Sequence, residues 1–267
     1  MDPGGKEVLN REMKEWGIDI SRWQKGLDLS QFKYLKWVIV KAGGSDDGLY
    51  IDSEFLNFYV QAKNLNLPVG IYWYTKAISI YNLDKEIDFL AERIKGLQFE
   101  LPVFLDLEED VLYNLAPDLA VRWLNRLPEL GLYPGIYSSL SWWKDTLKNV
   151  SMDDIQRWLA LWGDYEDPGY PCGIWQDGHI NTQGMEVDSD YKYVDYSFIK
   201  DKGLNGFQKQ KTFSDVTKDM AGYKAIMWAA SKGYIQGYKD GTFRPKDYMT
   251  REQVQVELWR MAGRPEP

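Results

Sequence analysis

Short apolar runs that restart at Gly or Pro constrain this chain most. "WGIDIS", "WVIVKAG", "PVGIYWYT", "PVFLDLE", "YPGIYSS", "RWLALWG", "CGIWQD" and "YVDYSFI" succeed one another through the first two hundred residues. Each has the length and the β-branched or aromatic content of a strand. Among the first five lie "DSEFLNFYVQAKNLN", "NLDKEIDFLAERIKGL" and "APDLAVRWLNRLPELG", whose apolar residues recur at three and four, the helical period. Strand and helix in alternation imply parallel strands joined by right-handed crossovers, and eight strands suggest closure into a barrel. The last three runs lie too close together for full helices, so an irregular α/β barrel is expected.

The texture changes after "GLNGFQKQK". From Thr212 onward two helical patterns flank a Gly-rich middle, and "YKDGTFRP" carries an Asp-Gly turn and a Pro stop. In "TREQ", Thr250 stands at an N-cap position with Gln253 three residues on, which opens a helix through Met261. The expected division is an extension over 1–14, a barrel over 15–205, a linker over 206–211 and a small module over 212–264. Charge follows the same division: residues 209–267 carry 11 Lys and Arg against 7 Asp and Glu, whereas residues 1–208 carry 21 against 33. An acidic large module of net −12 excludes nucleic acid as its partner, because phosphate neutralisation needs a basic face.

The barrel runs also carry acids where a core would not place them. In a strand, residues two apart share a face, about 6.6 Å apart along the backbone. Val103, Leu105 and Leu107 then face the helices, and Phe104, Asp106 and Glu108 face the barrel axis. Acids late in a barrel strand lie at the carboxyl-terminal mouth, where such barrels build their active sites. Asp19 in "GIDIS" and Asp195 in "YVDYSF" repeat the pattern. Three strands delivering costly buried acids to one mouth point to chemistry rather than packing.

Other chemistries have no residues to run on. One cysteine, Cys172, excludes an internal disulfide, no Cys/His cluster has metal-ligand spacing, and the lone His179 in "DGHINTQG" reads as a loop residue without a role. No cofactor or metal is expected. No window approaches a membrane span, and the amino terminus lacks a basic flank followed by an apolar stretch. Crowded carboxylates hold one group protonated while another stays ionised, which glycosidic cleavage requires. The 12 Trp and 18 Tyr suit a sugar cleft, where a pyranose face stacks on an aromatic ring, as well as they suit a Trp-rich core.

In order along the chain, "GIDISRWQ", "VIVKA", "GIYWYT", "PVFLDLEE", "PGIYSS", "WLALWG", "GIWQ" and "VDYS" resemble glycoside hydrolase family 25, the Chalaropsis-type muramidases that include many phage endolysins. The resemblance covers about residues 16–200. It implies a barrel of five strand-helix units and three further strands that cleaves the β-1,4 bond between N-acetylmuramic acid and N-acetylglucosamine in peptidoglycan, with retention and help from the substrate's acetamido group, direct attack by an enzyme carboxylate being the alternative. Glu108 would be the general acid, Asp106 its partner, and Asp19 and Asp195 the other mouth acids. Tyr72, Tyr74, Tyr137, Trp162 and Gln176 would line the sugar cleft. Family members commonly show Tyr-His-Tyr where this chain has Tyr72, Trp73 and Tyr74, and a Tyr at Trp162; both departures are expected to touch subsites. The competing expectations are a chitinase-like glycosidase and a catalytically inactive wall-binding lectin.

"FSDV", "GYIQGYKDGTFRP" and "MTRE" resemble a surface-layer homology domain, which implies an anionic secondary cell-wall polymer as partner and Arg251 as its leading contact; a role confined to the helix start stays open for Arg251. Carriers commonly hold three copies. One copy implies either self-association of chains or a structural module. The expected site of action is the bacterial cell wall, reached as a phage endolysin through a holin or by a chain trimmed of its signal.

Overall fold

Strands pair edge to edge until the last meets the first. In the computed structural model, residues 13–209 and 211–266 are described, so the expected 1–14 extension lies almost wholly outside the described residues. The chain divides into two compact units, one ending at Phe207 and one beginning at Gln208.

The first unit runs β1 (Glu15–Ile20), β2 (Val38–Gly44), a short β3 (Tyr50–Ile51), α1 (Phe55–Asn64), β4 (Val69–Tyr74), α2 (Ile80–Arg93), β5 (Val103–Asp106), α3 (Ala116–Glu129), β6 (Pro134–Ser139), α4 (Leu140–Lys144), β7 (Arg157–Ala160), β8 (Ile174–Thr182), β9 (Met185–Lys192) and α5 (Ser197–Lys202). Neighbours from β1 through β2, β4, β5, β6 and β7 to β8 are parallel, and β3 is a side branch on β2. Among the described barrel strands only β9 runs antiparallel, pairing with β8 on one side and β1 on the other, which closes an eight-stranded α/β barrel. The eighth strand differs from expectation. "MEVDSDYK" forms it, and "YVDYSFI" instead turns into α5.

Alternation sorts the side chains into two cores. Val38 and Val40, Ile71 and Trp73, Val103 and Leu105 face outward onto helices, packing against Leu83, Ile87 and Leu90 of α2 and Leu119 and Trp123 of α3. Ile39, Phe104, Trp158 and Ile174 point inward with Trp37 and plug the amino-terminal half of the barrel. Fully burying each such side chain contributes roughly 1.5–3 kcal/mol. Two glycines make room for the plug: a Cβ on Gly17 would sit 2.3 Å from the Trp37 ring, and one on Gly135 2.3 Å from Phe104. With its lower half apolar and filled, the barrel can receive a ligand only at the other end.

The second unit holds α6 (Tyr223–Ser231) and α7 (Arg251–Met261) around a small core of Phe213, Val216, Ala230 and Ile235. Thr250 caps α7 by accepting from the Gln253 amide, while the Gln253 side chain accepts from the Thr250 amide at 2.8 Å. No helix among the described residues is long and apolar enough to cross a membrane.

Candidate active site

Inward positions above the apolar plug are polar on almost every strand. In register, Tyr74 of β4, Asp106 of β5 and Tyr137 of β6 lie side by side. Across the barrel, Asp19 of β1 faces Asp188 of β9, and Gln176 of β8 faces Asp190. Each strand thus delivers one or two groups to the same mouth.

Asp106 ends β5 and is buried, and its Oδ1 has no hydrogen-bond partner among the described residues. Burial raises its pKa well above the usual carboxylate range, Glu108 raises it further, and the Lys41 ammonium opposes both. Glu108, two residues on, stands at the open rim, where desolvation of its carboxyl still raises its pKa against the same Lys41. The neighbouring Glu109 instead accepts from the Tyr74 hydroxyl and pairs with Lys76 at 3.5 Å.

A second group of acids lines the opposite wall. Asp190 is wholly buried, accepts from Trp158 Nε1 at 2.8 Å, and is held protonated chiefly by burial and by Asp19. Asp19 is pushed up to about 8 by burial and by Asp188, although the amide of Gln176 and the proton of Asp190 both favour its ionised form. Asp188 rises to about 6 through burial and Glu186.

Gln176 ties the mouth together. Its Nε2 donates to Asp19 Oδ2 at 2.8 Å, and its Oε1 accepts from the Tyr137 hydroxyl and from Trp162 Nε1, each at 2.9 Å. Beside it opens a cleft of about 560 Å³ walled by Tyr137, Leu140, Leu161 and Trp162. Tyr72 meets Trp158 edge-on at 5.9 Å. Lys41, an inward residue of β2 and itself buried, lies 4.4 Å from the Tyr74 ring and 5.8 Å from Tyr72.

Asp106, Glu108, Asp19, Tyr72, Tyr74, Tyr137, Trp162 and Gln176 therefore converge on one end of the barrel, and Asp195 does not. Lys192 pairs with Glu15 at the amino-terminal end of β1, and Asp195 lies three residues beyond it. There it is exposed just before α5, accepting from Ser197 N at 2.9 Å and Ser197 Oγ at 3.0 Å. The wall facing Glu108 is supplied by Asp188 and Asp190, which sequence reasoning missed; their alternation in "EVDSDYK" was the available signal. Lys41 was missed as a site group, and Trp158 as the donor to Asp190.

Two further corrections follow from the geometry. His179 lies in β8 rather than a loop, with its ring 5.6 Å from Trp162 and Nε2 3.4 Å from Glu186. Trp73 faces outward and donates to Glu86 of α2 at 2.7 Å, so that departure from the family alters helix packing and no subsite. Trp37, Trp123, Trp143 and Trp175 join Trp73 and Trp158 in the cores, whereas Trp23 and Trp162 are exposed. Among the described residues, no group of three or more His, Cys, Asp or Glu side chains is placed to hold a metal ion.

In the second unit, Arg251 is exposed at the first turn of α7, and its guanidinium makes no ion pair among the described residues.

Residues 18–185 match the sequence profile of "Glycosyl hydrolases family 25", and residues 212–254 that of the "S-layer homology domain". An autolytic lysozyme of Clostridium acetobutylicum is 26% identical over 149 residues, spanning 55% of this chain and 45% of that protein. The chain thus aligns with less than half the length of that relative. The catalytic domain of endolysin ply40 from bacteriophage P40 of Listeria monocytogenes superposes with a TM-score of 0.58 at 22% identity, over 70% of this chain and 96% of that one. A bacterial lysozyme from Streptomyces coelicolor superposes with a TM-score of 0.53 at 21% identity, over 72% and 97%.

Proposed function

This chain belongs to glycosyl hydrolases family 25, and from that premise we propose that it is an N-acetylmuramidase cutting the β-1,4 bond from N-acetylmuramic acid to N-acetylglucosamine, with Glu108 as general acid and Asp106 as the partner carboxylate. The observation that carries this reading is Asp106 Oδ1, a buried carboxylate oxygen without a partner, two residues from an acid at the rim. Such an oxygen is placed to accept a hydrogen bond from a group that enters the mouth. An acetamido N–H has that chemistry.

The charge of Glu108 raises the pKa of Asp106, so a proton between them goes to whichever carboxyl the surroundings disfavour as an anion. An N–H donated to Asp106 stabilises its ionised form, while a sugar laid over Glu108 removes the solvent that stabilises its charge. Substrate therefore moves the proton to Glu108. Glu108 then donates it to the leaving glycosidic oxygen as the acetamido carbonyl oxygen attacks the anomeric carbon. The resulting oxazolinium cation lies against ionised Asp106. Water activated by the Glu108 carboxylate reopens the ring with retained configuration.

The second unit contains an S-layer homology domain. It is proposed to hold an anionic wall polymer through Arg251, in keeping with its net of +4. Helix α7 buries no side chain and exposes Leu258, Trp259 and Met261, which supports association between copies of this module.

The catalytic reading is tested on purified Gram-positive walls by turbidity loss and mass analysis of the released fragments. Muramic acid at the new reducing ends is expected, and Glu108→Gln is expected to lower the rate by about 10² to 10⁴. New reducing ends of N-acetylglucosamine, or full activity in a folded Glu108→Gln, would overturn it.

A further inference from the structure

The turn after β1 holds a tryptophan that the fold does not use. Trp23 is 75% exposed. Its surroundings are nonetheless built with care. Ser21 Oγ accepts from Trp23 N at 3.3 Å, the Gln24 side chain accepts from Ser21 N at 3.0 Å, and Gln24 Nε2 donates to the carbonyl of Glu186 at 3.0 Å. Arg22 N donates to Asp52 Oδ2 at 3.2 Å. The Arg22 guanidinium lies 5.3 Å from the Trp23 ring and 5.1 Å from the Tyr50 ring, within cation-π range of both. An indole carried on a backbone pinned by these hydrogen bonds, flanked by Arg22 and left in water, forgoes burial energy. Such a surface is preorganised for a ligand.

Its place identifies the ligand. Trp23 follows Asp19 by four residues, and Gln24 is tied to Glu186, two residues before the Asp188 that pairs with Asp19. The ring therefore stands on the rim where β1 meets β9. Trp162 stands on another part of that rim, after β7. A strand cut internally must continue out of the mouth past one rim or the other. Its pyranose rings present C–H faces that stack on aromatic planes. Its muramic units bear carboxylates, and Arg22 offers a cation to them at the rim.

We propose that Trp23, held by Arg22, forms a glycan subsite beyond the four sugars that straddle the cut, where it takes one pyranose ring of a peptidoglycan strand with that sugar's carboxylate-bearing substituent toward Arg22. The proposal rests on the muramidase reading and adds a preference for long strands. It is tested with the full chain on soluble uncrosslinked strands of alternating N-acetylglucosamine and N-acetylmuramic acid, one a tetrasaccharide and one of ten or more sugars. Trp23→Ala is expected to raise KM for the long strand roughly fivefold to tenfold, from the loss of one stacking contact. kcat on the long strand and both constants on the tetrasaccharide stay at wild-type values. Trp23→Tyr is expected to recover most of the loss.

An unchanged KM on the long strand, an equal change on both strands, or a Trp23→Tyr as impaired as Trp23→Ala would overturn the subsite. Wild-type protein that cleaves neither strand would overturn the muramidase reading, and the subsite with it.

Discussion

Gln176 donates from Nε2 to Asp19 Oδ2 at 2.8 Å, so an uncharged amide is the direct hydrogen-bond partner of an acid whose pKa stands near 8. The same amide's oxygen serves Tyr137 and Trp162. Replacing it with leucine strands three polar groups at once, two of them largely buried. Gln176→Leu is expected to destabilise the barrel by about 1–3 kcal/mol, read as a lower urea midpoint, because unsatisfied buried groups lose their water without a substitute. It should also lower kcat through the displaced Tyr137. An unaltered midpoint would mean that solvent satisfies all three groups.

Lys41 makes a prediction of the opposite kind, one visible in rate rather than stability. Its ammonium lowers the pKa of both Asp106 and Glu108. Lys41→Met removes that nearby positive charge, so both carboxyls hold protons to higher pH. Ionised Asp106 then becomes available later and protonated Glu108 persists longer. Both limbs of the kcat/KM profile are expected to move toward alkaline pH on soluble glycan. Limbs that stay in place would show that Lys41 does not set the pair.

Two acids where β1 meets β9 predict a stability profile. Asp19 and Asp188 have folded-state values of about 8 and 6, above those of an unfolded chain near 4. Between those limits the folded state binds more protons than the unfolded one. Stability is therefore highest below about pH 4 on this account and falls as pH rises toward 8, with a slope of up to ~1.4 kcal/mol per pH unit for one such group. Asp19→Asn, which cannot ionise, should flatten the fall. Thermal midpoints measured from pH 4.5 to 8.5 on both proteins decide it; parallel curves would remove Asp19 as the cause.

Which parts of this site were legible beforehand follows from where each acid sits. Asp19, Asp106 and Glu108 interrupt apolar runs whose other face packs on helices, so alternation exposed them. Asp188 and Asp190 belong to a strand that is polar through most of its length, and a polar strand looks like a loop. Asp195 misled for the converse reason: Val194, Tyr196 and Phe198 are buried under the barrel's closed end, which gives a turn and short helix the texture of a strand. Lys41 was masked by its motif, "VIVKA", whose valines and isoleucine announce a core strand. Its inward direction appears only once Ile39 is seen to share its face.

Removing residues 208–267 separates cutting from attachment. The two units have separate cores, Phe213, Val216, Ala230 and Ile235 on one side and the barrel layers on the other, and every mouth group belongs to the first. The truncated protein is expected to fold and to cleave purified peptidoglycan at close to the full-length rate. What should be lost is retention on walls that carry anionic polymer. A unit of net −12 is repelled by such a surface, whereas the removed unit contributes +4 and places Arg251 at a helix amino terminus, where an anion is favoured. Sedimentation of both proteins with walls before and after acid extraction of the polymer measures this, and added salt should weaken only full-length binding. Equal sedimentation of the two proteins on both wall preparations would mean that the second unit does not target the wall.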